Sequence, residues 1–329
     1  MLDLHPDPAR ARALDQRMRD RLADSLAYIF EAAEGRLALP GEDERESFLG
    51  RLRRDPVAPT VFGAYCDLVL AIEAGQNAVA EALLAEIVAA SSAPRLKVQV
   101  LADPAEDRVA ARYERLIDTD EQRSFKLCAP PAAEAEACAA LLRRALEVLD
   151  RGHPALADEL RGLIREYVLV DTRQEPGASD LSGASSFMLW GAVMLNARIH
   201  VDLVDLLAAL AHESGHNLLF GLCADGPLVL NEDDERFASP LRSDPRPMDG
   251  IVHAVFVVAR MHEALSTLLR SGELSEAEAV RARDTLGIEE RAFRRGRETV
   301  RAQAQLTELG RNVMAGVDAY MEGVLASVA

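Results

Sequence analysis

Leu206–Leu222 reads LLAALAHESGHNLLFGL. Around it the apolar positions Val204, Leu207, Ala208, Ala211, Gly215, Leu218 and Leu219 step by three and four, the spacing of one helix face. Leucine and alanine, strong helix formers, fill most of the rest. This is a core helix from about Val201 to Leu222, and the fold must be built around it. Such a helix would not carry two histidines and a glutamate without a use for them, because burying them unpartnered is costly. His212-Glu213-Ser214-Gly215-His216 is the pattern H-E-x-x-H. Residues i and i+4 share a helix face, so both imidazoles can reach one metal ion. Glu213 lies about 100° round the helix, close enough to touch a metal-bound water.

The rest of the chain is also mostly helical in pattern. It has 329 residues, 49% apolar and 28% charged, enough for a sizeable core. Aromatic residues are only 5%, which favours helices over a sandwich or barrel. Helical periodicity runs through the first 150 residues, broken by PRLKVQVLAD (94–103), which alternates like a strand. YVLVDTR (167–173) reads as another strand, and SSFMLWGAVMLNAR (185–198) as a strand pair or hairpin about Gly191. A proline-rich loop follows the histidine helix. After Gly250 comes a second apolar helix, and from Glu273 two amphipathic ones. The expected class is mainly α with a small β-sheet (α+β), the H-E-x-x-H helix packed beside a second ligand-bearing helix. The expected division is a helical region over 1–130 and a metal-binding catalytic domain with C-terminal helices over 131–329.

Net charge and cysteine usage narrow the partners. A formal net charge of −17 repels a nucleic-acid backbone. Cys66, Cys128, Cys138 and Cys223 form neither a C-x-x-C pair nor a disulfide framework, which fits reduced thiols in the cytoplasm. The first 20 residues lack the apolar core of a signal peptide, and no run of 18 apolar residues predicts a membrane helix. Oligomeric state is open. The basic run ERAFRRGRETVRAQAQL (290–306) reads as a solvated helix face.

A third metal ligand must come from elsewhere. His253, 37 residues after His216 in the apolar run GIVHAVFVV, is favoured, with Glu263 as the peptidase-like alternative. His262 faces differently. Arg260 shares a face with His253 and could clamp an anion. Arg242 and Arg246, in PLRSDPRPM, are further clamp candidates unless they pair with the acidic run Glu232 to Glu235. Zinc and ferrous iron both suit the two histidines. Read alone, the motif supports a zinc peptidase as readily as an iron enzyme.

Four stretches resemble the HExxH-motif peptide-modification family of ribosomal natural-product gene clusters. They are LLRRALEVLDRGHPALADELRGLI (141–164), SGASSFMLWGAVMLN (182–196), LAALAHESGHNLLFGL (207–222) and RFASPLRSDPRPMDGIVHAVFV (236–257). The most distinctive is the Asp244-Pro245-Arg246-Pro247 loop at this distance from H-E-x-x-H. The resemblance covers about residues 135 to 265. It implies a 2-oxoglutarate-dependent peptide β-hydroxylase, with iron(II) held by His212, His216 and His253. O2 and 2-oxoglutarate would be cosubstrates, and one of Arg246, Arg242 and Arg260 would hold the far carboxylate. The substrate would be a precursor peptide, and Glu213 would position water or cosubstrate instead of acting as a hydrolytic base. FMLWGAVMLN (187–196) is expected either to pair with an extended peptide by β-augmentation or to be buried in a small sheet. The competing expectations are a zinc metallopeptidase and a catalytically inactive peptide-binding relative.

Overall fold

The protein is described by a computed structural model covering residues 2–93, 95–117, 125–173, 181–241 and 244–327. In chain order the elements are α1 (Pro8–Ala33), α2 (Glu42–Arg54), α3 (Pro59–Glu73), α4 (Asn77–Ala89), β1 (Lys97–Val100), α5 (Arg108–Ile117), β2 (Leu127–Cys128), α6 (Ala132–Gly152), α7 (Pro154–Leu163) and β3 (Glu166–Thr172). Then come β4 (Gly183–Ala184), β5 (Ala192–Asn196), α8 (Leu203–Leu222), α9 (Met248–Ser271), α10 (Glu276–Gln303) and α11 (Glu308–Ser327). It is a mainly helical protein with one small mixed sheet.

The chain forms two compact units. One, the sheet unit, comprises 9–139 and 161–200; the other, the histidine unit, comprises 1–8, 140–160 and 201–329. These interleaved units differ from the consecutive segments 1–130 and 131–329 expected above. The reason is strand pairing. β1 pairs in parallel with β3, and β3 in parallel with β5, so residues 166–196 join the N-terminal helices.

In the sheet unit the order is β1-β3-β5-β4, with β2 antiparallel to the end of β3. β3 lies between two parallel neighbours, and all but one of its residues are buried, as its valine-rich run requires. Tyr113, Leu116, Val168, Val170, Leu189 and Met194 belong to one hydrophobic cluster against the sheet. The stretch about Gly191 holds one strand instead of two, and links it to the short β4, which pairs antiparallel with it. Phe187–Leu189 is a short 3-10 turn capped by Ser186, whose Oγ accepts from Met188 N at 3.3 Å. Gly191 then turns the chain with φ 86°, and a single strand, β5, follows. Trp190 anchors the turn by donating Nε1–H to Asp15 at 3.2 Å. β5 has β3 on one side and β4 on the other, and all five of its residues are buried. On that second side β4 covers Met194 and Leu195.

The histidine unit is a helix packing. Asp202 caps α8, accepting from Val204 N and Asp205 N at 2.9 and 3.2 Å. α9 ends at Gly272, whose φ of 76° supplies the left-handed cap. Ser275 opens α10 with a capping box closed by Glu278. α9 is long and apolar enough to cross a membrane, yet most of it is buried inside the protein. It is a core helix, lined by α8, α10 and α11.

Candidate metal centre

The i, i+4 spacing on α8 brings the imidazoles of His212 and His216 together. Their Nε2 atoms are 3.1 Å apart and their ring centroids 4.8 Å apart. Two metal–nitrogen bonds of about 2.0–2.1 Å at a tetrahedral angle would separate the nitrogens by roughly 3.3 Å. The pair therefore already has the bite of a single ion. Gly215 permits the close approach of α9, since a Cβ there would stand 3.1 Å from Val257 Cγ1.

α9 brings His253 to the pair, but on the other side of a ring. His216 turns Nε2 toward His212 and Nδ1 toward His253 Nδ1, 3.3 Å away. His253 Nε2 in turn faces Asp249 at 3.6 Å. In this arrangement one ion between His212 and His216 does not also meet His253. Instead, His253 and Asp249 form a chain behind His216, the kind of contact that fixes which ring nitrogen of a ligand carries its proton. Burial lowers the His253 pKa against the opposing pull of Asp249, so the ring is neutral at pH 7. Among the described residues, no group of three or more His, Cys, Asp or Glu side chains is arranged to hold a metal ion. The donor set present fits a two-imidazole grip.

Glu213 is buried, with Oε1 4.0 Å from His212 Nε2. Met261 Sδ lies 3.3 Å from His212 Nδ1, and Phe220 stacks on His216 with centroids 6.1 Å apart. A quarter of the His212 side chain remains open to solvent, so a small molecule can approach.

The other expected residues are placed elsewhere. Glu263 is held by His153 Nε2 at 3.0 Å, His5 Nδ1 at 3.3 Å and Thr267 Oγ1 at 3.2 Å. Burial works to raise its pKa, but His153, Arg260 and His5 outweigh that and hold it below the usual carboxylate range. His262 faces Tyr320 at 2.9 Å and Glu290 at 3.7 Å. Arg260 is almost wholly buried, but its guanidinium is bound to Glu159 and donates to the Leu4 carbonyl at 2.7 Å. It serves a buried ion pair and is not turned to an anionic ligand. Arg246 pairs with Asp244 at 3.2 Å, and its backbone bridges to Phe237. Arg242 lies outside the described residues. Asp249 was not foreseen, although its place four residues before His253 marks it as a partner on the same helix face. No protein-family model matches the chain, and no curated protein shows significant similarity to it.

Proposed function

We propose that the chain is a non-haem iron(II), 2-oxoglutarate-dependent hydroxylase acting on the β-carbon of a residue in a ribosomally made peptide. The observation that carries a metal function is the 3.1 Å apposition of His212 Nε2 and His216 Nε2 on one turn of α8. The choice of iron and 2-oxoglutarate rests on the resemblance of residues 135–265. It is supported by chemistry: few protein donors leave room on an ion for a chelating keto acid and for O2. Bound iron would supply the redox chemistry that couples 2-oxoglutarate and O2 to succinate, carbon dioxide and a hydroxylated side chain.

The chain's own part is narrower. His212 and His216 hold the ion, and the His253–Asp249 chain fixes the His216 ring. Glu213 orients a water or the cosubstrate beside His212. Arg246 and Arg242 remain the candidates for the far carboxylate of 2-oxoglutarate, now that Arg260 is committed to Glu159. The four cysteines are free, in keeping with a reducing cytoplasmic setting.

A second reading, a zinc hydrolase, is favoured by the buried Glu213 carboxyl beside His212, the position of a hydrolytic base. One assay separates the two. The purified protein is loaded with iron(II) or zinc and given 2-oxoglutarate and a panel of precursor-like peptides. Succinate and a peptide gain of one oxygen, both lost in His212→Ala and His216→Ala, are expected with iron. Peptide cleavage with zinc, abolished in Glu213→Gln, would replace the proposal with the hydrolase. Peptide affinity surviving both histidine substitutions, without turnover in any protein, would mark an inactive binding relative.

A further inference from the structure

We infer that β1 is the interface of a homodimer, formed by antiparallel pairing of β1 with β1 of a second copy of this chain. β1 stands at the end of the sheet order, bonded to β3 alone among the described residues. The parity of its bonds is fixed, because Lys97 N donates to Arg165 O and Leu101 N donates to Leu169 O, each at 2.9 Å. The backbone N–H and C=O groups of Val98 and Val100 therefore face away from β3. Side chains on the same alternation are unusually exposed for their type: Leu96 by 37%, Val98 by 40% and Val100 by 50%. An edge with open donors, open acceptors and an apolar row is a template for strand addition.

The usual guards against such addition are missing here. No proline or bulge interrupts 95–102. The one charged side chain within the strand, Lys97, does not screen the apolar row. Its backbone bonds to the β3 side, and its side chain lies on the face opposite Val98 and Val100.

The sequence around the strand is complementary to itself. A two-fold axis at Gln99 sets Val98 opposite Val100 of the second copy, and Leu96 opposite Ala102. These are the residues whose backbone groups point outward, so the ladder closes with correct parity. The same register sets Arg95 of one copy opposite Asp103 of the other, twice by symmetry. The basic start of the edge thus meets its acidic end, which also carries Glu106 and Asp107. An isologous contact of this kind closes on itself and does not propagate.

The test is solution mass against concentration, by sedimentation velocity on the full chain. The expected result is a reversible monomer–dimer equilibrium. Val98→Pro deletes an outward N–H at a place where an edge strand tolerates proline, so it should abolish the dimer and leave the circular dichroism unchanged. Arg95→Asp and Asp103→Arg should each weaken association about tenfold, and the two together should restore it. Asp103 also receives Arg173 and the Ala105 amide, so Val98→Lys serves as a further variant that leaves that turn alone. A monomer at every concentration, or a dimer untouched by Val98→Pro, would overturn the inference. So would protection of β1 amides from hydrogen exchange only when a peptide is added, which would assign the edge to a peptide.

Discussion

His212→Ala and His216→Ala each remove one of the two nitrogens that face each other across 3.1 Å. Metal analysis after iron or zinc loading is expected to fall from near one ion per chain to background in both. His253→Gln is expected to behave differently, weakening metal affinity by about 10–100-fold without abolishing it, as loss of a partner behind a ligand does. Complete loss in His253→Gln would instead make it a ligand, by a rotation of its ring. Away from the histidines, the buried Glu289 is the group whose titration matters most. Among the described residues neither of its carboxyl oxygens has a hydrogen-bond partner, and burial pushes its pKa up to about 8. An unfolded glutamate titrates near about 4.3. Between those values the folded chain holds a proton that the unfolded chain has lost, so this contribution is full below about pH 4 and falls as pH rises to about 8. The cost is roughly 3 kcal/mol at pH 7. Denaturant unfolding of Glu289→Gln should show a flatter stability profile from pH 5 to 9, with its gain over the parent largest at the alkaline end. An unchanged slope would place the titration elsewhere. Arg260→Met is expected to cost about 3–5 kcal/mol, because it removes the guanidinium that neutralises the buried Glu159 carboxylate. A normal melting curve combined with a raised KM for 2-oxoglutarate would return Arg260 to the cosubstrate.

At the scale of elements, α9 and α10 meet closely at Gly296. A Cβ there would stand 2.6 Å from Val255 Cγ2 and 2.9 Å from Pro240 Cγ. Gly296→Ala should therefore lower the melting temperature, at a cost of about 1–3 kcal/mol from overpacking. How well each element could be read follows from how local its causes are. α8 was legible because its apolar period and the His212/His216 spacing both lie within one segment. β1 and β3 were legible as alternating or apolar runs. The stretch about Gly191 was legible in part: β4 and β5 do pair antiparallel across it, whereas the parallel partner of β5, the distant β3, is one that no local turn announces. The same limit governs the site. His212 and His216 define each other within one helical turn, and His253 could be named only as a candidate. Arg260 looked like an anion clamp because its actual partner, Glu159, is 101 residues distant and belongs to a different helix.

For the whole molecule, the division into interleaved units makes residues 2–8 part of the same unit as the histidine helix. Leu2 N donates to the Asn312 carbonyl at 3.1 Å, Asp7 N donates to Glu159 at 2.8 Å, and Leu4 is only 2% exposed. Deleting residues 1–7 should cost about 2–4 kcal/mol, from one buried leucine and several hydrogen bonds, and thermal unfolding would register it. An unchanged transition would mean that these contacts are not held in solution. They also constrain the order of assembly. The Leu4 carbonyl meets Arg260 across 256 residues of chain, so on the ribosome this strap waits, unsatisfied, until α9 has been made. A contact of such sequence separation forms slowly. Until it forms, the long apolar α9 lacks its N-terminal strap, and apolar surface left open in this way is what exposes a folding chain to aggregation.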